Sequence, residues 1–147
     1  MNDRNAPPGD GENLTIYYDA SCPLCVSEMA VVKSRDVDGR LALVDCSGNQ
    51  PLPALRAPNE AGITREAMMR SLHARTADGR WLVGVPAYEA IFRSTGFPRL
   101  ARLAANARLA PLLTRLYAWV ARNRYRLPRR GLARLLTLAS RRNARAS

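Results

Sequence analysis

Strand, helix and strand follow one another within about 33 residues near the start of the chain, and this order limits the fold more than any other pattern. Leu14–Asp19 is a β-branched and aromatic run that predicts a buried strand. Cys22–Arg35 has helical composition, with Ser21 as the expected cap and Pro23 in the first turn. Leu41–Cys46 is a second apolar run. Two strands joined in this way run parallel, with a right-handed crossover.

A hairpin and one more helix complete the predicted core. The dipeptide Asp78-Gly79 is a strong turn signal between two predicted strands, Met69–Arg75 and Arg80–Val83. Pro86–Ser94 predicts the helix that follows them. The order βαβ-ββα predicts an α/β protein with a four-stranded mixed sheet and helices on its faces, which is the thioredoxin core.

Length and composition indicate one domain with attached segments. A chain of 147 residues, 47% hydrophobic and 24% charged, has the balance of a single globular domain. We expect a disordered leader at 1–13, a thioredoxin-like domain at 14–96, a helical extension packed on it at 97–128 and a basic amphipathic tail at 129–147. Without a spanning apolar stretch or a secretory signal, the expected location is cytoplasmic, where thiols stay reduced.

The net charge of +11 is unevenly distributed. Up to Glu89 there are 9 basic and 12 acidic residues, whereas the rest of the chain has 14 arginines and no acid. An amphipathic helix with Trp119 among these arginines is typical of proteins that lie on an anionic membrane surface. A solvated arginine face over a packed apolar stripe is the alternative interpretation. No nucleic-acid reader motif occurs, so we expect no nucleic-acid partner.

The segment that carries chemistry is Asp19-Ala-Ser-Cys22-Pro-Leu-Cys25, at the end of the first strand. Two residues between cysteines at a helix start place both sulfurs within one turn, near the roughly 5.5 Å Cα separation that a disulfide prefers. Cys22 lies at the helix terminus, where unpaired N–H groups and the helix dipole stabilise a thiolate. We expect Cys22 to attack a substrate disulfide and Cys25, the less exposed partner, to resolve the mixed disulfide. The alternative is a pair of buried, inert cysteines.

The segment YDASCPLC after a strand, the hairpin and the later run WVARNRYRL resemble the DCC family of predicted thiol-disulfide oxidoreductases. The family is named for an Asp-x-x-Cys-x-x-Cys motif, which Asp19, Cys22 and Cys25 match. The resemblance covers roughly residues 13 to 127 and implies a thioredoxin-like fold with a helical extension. Unlike thioredoxins, the chain has no proline before the hairpin, near Met68 and Met69, which argues against substrate docking by their usual backbone edge.

Three charged side chains, Asp19, Glu28 and Arg124, are candidates for a supporting role near the cysteines. Asp19 can accept the Cys25 proton during resolution, or it can order the turn by accepting backbone N–H groups. Glu28 and Arg124 each fall inside an apolar helix stripe. We expect Arg124 to bond Glu28 or Asp19 and so fasten the extension over the site, the alternative being two side chains that reach water independently.

The remaining thiol and the single imidazole allow other interpretations. Cys46 ends the second strand, where it is either a second resolving thiol or a small buried hydrophobe. With His73, the three cysteines complete a Cys₃His set that is chemically suited to zinc, but the spacing lacks a second paired knuckle. The sequence thus predicts a thiol-disulfide oxidoreductase that exchanges protein or low-molecular-weight disulfides through Cys22 and Cys25, with no organic cofactor and no metal. The alternative is a non-catalytic membrane-surface or polyanion-binding protein whose cysteine pair senses redox state or binds zinc.

Overall fold

The computed structural model describes residues 13–52 and 62–128, together with Arg134 and Leu138. In chain order its elements are β1 (Leu14–Tyr18), α1 (Pro23–Ser34), β2 (Leu41–Asp45), α2 (Arg65–Arg70), β3 (His73–Thr76), β4 (Trp81–Val83), α3 (Val85–Ser94), α4 (Pro98–Ala104) and α5 (Ala110–Asn123).

The sheet is four-stranded and mixed, in the order β2-β1-β3-β4. β1 pairs parallel to β2 and antiparallel to β3, and β3 pairs antiparallel to β4. Ile16 of the central strand is fully buried in an apolar cluster with Met29 of α1 and Ile91 of α3. Its neighbour Tyr17 points to the opposite face, where it packs with Met68. This arrangement confirms the predicted βαβ-ββα, thioredoxin-like core.

The segment before β3 differs from the prediction. We expected a strand over Met69–Arg75, but the first two of these residues belong to α2 and the strand begins at His73. The Thr64 side chain accepts the Ala67 N–H and so caps α2. Because alanine and methionine are good helix formers, the short helix prevails there over strand alternation.

In the C-terminal extension, the break between two helices also lies at an unexpected position. A proline usually interrupts a helix, but Pro111 lies in the first turn of α5, where a missing N–H leaves no bond unmade. The break comes earlier, where the Asn106 side chain accepts the Arg108 N–H in a turn. Leu113, Tyr117 and Val120 of α5 are half-buried, whereas Leu116 is 54% exposed.

Parts of the sequence prediction concern residues outside the described ranges. The leader, except for Asn13, lies outside them, as does the tail from residue 129 apart from two exposed helical positions, Arg134 and Leu138. Within the described part of the chain, no helix combines the length and apolarity needed to cross a membrane.

Candidate active site

The turn between β1 and α1 is built around the Asp19 carboxylate, which is 1% exposed. Its Oδ1 accepts both the backbone N–H of Ser21, at 2.9 Å, and the Ser21 hydroxyl, at 2.5 Å. The Asp19 carbonyl accepts the Cys22 N–H at 3.2 Å. Ser21 is therefore occupied with Asp19, and the expectation that it caps α1 is wrong.

Cys22 is the N-cap of α1, and Pro23 follows as the first helical residue. The Cys22 Sγ accepts the backbone N–H of Cys25 at 3.3 Å. A sulfur at this position faces the positive end of the helix dipole and an N–H donor. The two residues between the cysteines thus place both sulfurs in the first turn of one helix.

The order of exposure is the reverse of the prediction. Cys22 is fully buried, at 0% exposed, and Cys25 is half-buried. Arg124 and Tyr125 of the C-terminal extension lie over the turn that precedes Cys22 and form a cover of that turn. Helix position alone, which placed Cys25 further inside, does not account for this cover.

The cover is fastened through Asp19. Arg124 donates from Nη2 to Asp19 Oδ2 at 3.0 Å, and the Tyr125 hydroxyl donates to the same oxygen. The Tyr125 oxygen also lies 3.5 Å from the Ser21 Oγ. The Arg124–Asp19 contact confirms one of the two pairings that the misplaced charges suggested, and the Arg124–Glu28 alternative does not form.

The same extension engages the backbone just before β3. The Leu72 N–H donates to the Tyr117 hydroxyl at 2.8 Å, and the Met69 carbonyl accepts a hydrogen bond from Arg124. No peptide bond in the described residues is cis. Thioredoxins dock substrates at the backbone of this segment. Here its hydrogen-bonding groups are occupied by side chains of the protein itself.

Glu28 lies one turn beyond Cys25 on α1 and is 6% exposed. Among the described residues, its carboxylate has the Tyr88 hydroxyl as hydrogen-bond donor, at 2.9 Å. Burial raises the pKa of Glu28 to about 7, although the Tyr88 hydrogen bond opposes this shift. A carboxyl group in this state exchanges a proton near neutral pH.

Cys25 and Glu28 line one small cavity between α1, α3 and α5, with a volume of about 30 Å³. Burial raises the pKa of the Cys25 thiol, as do the neighbouring Cys22 sulfur and the Glu28 charge, whereas Arg124 lowers it. The cavity is large enough to admit a water molecule between the two side chains. Thiol and carboxyl therefore share a partly dry environment in which a proton can pass between them.

Cys46 and His73 contact residues other than the Cys22–Cys25 pair. Cys46 is 1% exposed, packs against Met68 with its sulfur 3.7 Å from the Met68 Sδ, and has a pKa raised to about 11 by burial. The His73 Nδ1 lies 2.8 Å from the Ser71 carbonyl oxygen. Within residues 13–52 and 62–128 no three His, Cys, Asp or Glu side chains gather into a set able to hold a metal.

The sequence did not predict the hydroxyl contacts of Tyr88, Tyr117 and Tyr125. A tyrosine within an apolar stripe is the available signal, because a buried hydroxyl usually finds a hydrogen-bond partner. The signal does not name that partner. Tyr117 illustrates this, since its acceptor role toward Leu72 joins positions 45 residues apart.

Comparison with known proteins agrees with the dithiol geometry. The chain resembles an uncharacterized chloroplastic protein of Arabidopsis thaliana, with 27% identity over 97 residues that cover 65% of this chain. It spans only 44% of the length of that relative. No solved structure matches the chain significantly. The model of the DCC1-like thiol-disulfide oxidoreductases matches residues 16–130, and the chain therefore belongs to this family.

Proposed function

We propose that the protein is a thiol-disulfide oxidoreductase in which Cys22 is the nucleophile and Cys25 the resolving thiol. The observation that carries the proposal is the N-cap position of Cys22, whose sulfur accepts the Cys25 N–H, with the Arg124 guanidinium bonded to Asp19 in the turn just before it. The sulfur thus faces the positive end of the helix dipole and a backbone donor, and a cation is held at the preceding turn.

The exchange proceeds in two steps. The Cys22 thiolate attacks one sulfur of a substrate disulfide, and the other sulfur leaves as a thiolate, which leaves a mixed disulfide on Cys22. Cys25 then loses its proton and attacks the Cys22 sulfur, releasing the second substrate thiolate. The substrate disulfide gains two electrons and the protein pair becomes a disulfide, which a thiol reductant returns to the dithiol.

Glu28 is the proton acceptor in the second step. Asp19 was the other candidate, but Ser21 donates twice to its Oδ1, and Arg124 and Tyr125 donate to its Oδ2. A carboxylate has about four lone-pair sites, so these donors occupy Asp19 fully. Asp19 orders the turn instead. Glu28 shares a cavity with Cys25 and has a pKa of about 7, which suits a group that accepts a proton near neutrality.

Trapping tests the proposal directly. In Cys25→Ser the mixed disulfide on Cys22 cannot be resolved, so a disulfide substrate should remain attached and be identified by mass spectrometry. Cys22→Ser should form no adduct. Cys46→Ser is the matched control, because its sulfur packs against Met68, and it should retain turnover of wild-type rate. Absence of an adduct in Cys25→Ser, together with no turnover by the wild type, would contradict the proposal.

A second candidate function is contact with an anionic membrane surface, and one observation favours it. Leu112, Leu116 and Trp119 are 63%, 54% and 51% exposed at helical spacing on α5, a helix that also carries arginines. Flotation with phosphatidylserine vesicles should carry the wild type but not Leu116→Ser/Trp119→Ser. If both proteins float equally, the exposed side chains of α5 are not the membrane contact, and this candidate loses its structural basis. The cytoplasmic location stays a prediction.

A further inference from the structure

We propose that a cleft between α2 and α5 binds the carboxylates of a small anionic disulfide, so that the protein is selective for acidic peptide disulfides. The inference rests on the function proposed above and names its class of substrate. Three observations support it: the charge lining the cleft, the occupied backbone edge and the position of the cleft beside the dithiol turn.

The cleft has a volume of about 580 Å³, within the range of pockets that hold small ligands. Arg70 at the end of α2, Arg122 of α5 and Arg124 just after it line the cleft, and no carboxylate does. The Arg70 and Arg122 side chains form no ion pair or hydrogen bond with the described residues, and the Glu66 carboxylate, one turn earlier on α2, interacts with Arg70 electrostatically. Arginine recognises a carboxylate through two parallel N–H donors, so these residues offer a prepared anion site.

The backbone just before β3 is not open to pairing with a substrate. Many extended peptides bind by adding a strand to exposed backbone groups. Here the Leu72 N–H is bonded to Tyr117 and the Met69 carbonyl to Arg124. At this segment recognition therefore depends on side chains, and the charged side chains that line the cleft are all cationic.

The position of the cleft connects it to the cysteines. Its wall includes Arg124 and Tyr125, and both residues contact Asp19 in the turn that leads into Cys22. A ligand anchored by Arg70 and Arg122 thus lies beside the residues that cover Cys22. Concave cationic surfaces also concentrate anions, which raises the rate of encounter.

Kinetics with two disulfides test the inference. Glutathione disulfide carries carboxylates, whereas bis(2-hydroxyethyl) disulfide is neutral. For Arg70→Glu/Arg122→Glu we expect the ratio of kcat/KM for glutathione disulfide to that for the neutral disulfide to fall by roughly tenfold, through KM. Arg115→Glu/Arg126→Glu is the matched control, since it makes the same charge change at exposed positions that do not line the cleft. Its ratio should stay within about twofold of the wild type.

Binding to an inactive protein separates the two proposals. Calorimetric titration of Cys22→Ser/Cys25→Ser with glutathione disulfide measures the cleft without any exchange, and adding the Arg70 and Arg122 changes should abolish the binding. Two results would overturn the proposed anion site in the cleft. One is unchanged binding after the Arg70 and Arg122 changes, and the other is an equal fall of the kinetic ratio in the Arg115 and Arg126 control. Failure of the wild type to reduce either disulfide would instead overturn the proposed function, because the titration still tests the site.

Discussion

Arg124 and Asp19 lie 105 positions apart in the chain, and the guanidinium of one donates to the carboxylate of the other at 3.0 Å. The Arg124 side chain is 12% exposed and that of Asp19 is 0% exposed, so the ion pair is buried. Through this pair the helical extension is joined to the turn that presents Cys22. The stability of the protein and the protection of its thiol therefore share one contact.

Arg124→Ala should destabilise the protein by about 3 kcal/mol, at the low end for breaking a buried pair, because Ser21 and Tyr125 still donate to the remaining carboxylate. The free energy of unfolding in urea measures the change. Arg126→Ala removes an exposed arginine two positions away and should stay within about 0.5 kcal/mol of the wild type. Equal unfolding midpoints for the two variants would contradict this account.

Glu28 should make the protein less stable as pH rises. Its pKa in the folded state is about 7, above the ordinary value of 4.5, so folding favours the protonated form. This contribution is complete below pH 4.5 and is lost as pH rises through about 7. The free energy of unfolding should fall by roughly 3 kcal/mol across this window, and Glu28→Gln should remove that fall. A slope that survives in Glu28→Gln would assign it to another group.

The resolution step should respond to the same carboxyl group. Rapid mixing of reduced protein with a disulfide, followed by quenching, separates formation of the mixed disulfide from its resolution. In the wild type the resolution rate should rise with pH through a midpoint near 7, and Glu28→Gln should lose this rise.

Tyr88→Phe gives the sharper version of this test. The Tyr88 hydrogen bond lowers the pKa of Glu28, so its removal should move the resolution midpoint to higher pH while the mixed disulfide forms at the wild-type rate. A downward shift, or no shift, would show that Glu28 does not accept the proton.

Tyr125→Phe should make Cys22 easier to alkylate. The change removes the hydroxyl that bonds Asp19 and approaches Ser21, and so loosens the cover over a fully buried sulfur. We expect the rate of iodoacetamide labelling at Cys22 to rise several-fold, consistent with about 1 kcal/mol for one hydrogen bond. Tyr17→Phe, on the opposite face of the sheet, is the matched control and should label at the wild-type rate. Equal rates for the two variants would mean that Tyr125 is not part of the cover.

Gly84→Ala should loosen the contact between α5 and the core. Gly84 has φ of +69°, and an added Cβ would lie 3.2 Å from the Tyr117 ring, whose hydroxyl accepts the Leu72 N–H. Gly39 has φ of +64° with nothing within 4 Å of an added Cβ, so Gly39→Ala measures the backbone strain alone. Thermal unfolding should show Gly84→Ala to be the less stable variant. Equal melting temperatures would show that the ring moves away freely.

The local features of the fold could be predicted from sequence because they depend on residues close together in the chain. The apolar run of β1, the helix that opens at Pro23 and the Asp78-Gly79 turn each carry their own signal. The limit of this approach is visible at Met69, where strand alternation and helix propensity compete and the cap at Thr64 decides for the helix.

The candidate site was predictable in its residue types and less so in its pairings. Misplaced charges at Glu28 and Arg124 correctly indicated buried partners, since an unpaired buried charge is strongly unfavourable. Which partner each residue meets depends on where α3 and the segment after α5 lie relative to α1, and no local pattern encodes that. Arg124 therefore found Asp19, and Glu28 found Tyr88.

The late position of Arg124 and Tyr125 has a consequence for biosynthesis. Ribosomes make the strand and helix that hold Cys22 long before they make its cover, which joins residues more than 100 positions apart. A nascent chain at that stage carries the dithiol turn without these contacts to Asp19. Translation beyond residue 125 is thus required before the turn that precedes Cys22 can acquire its cover.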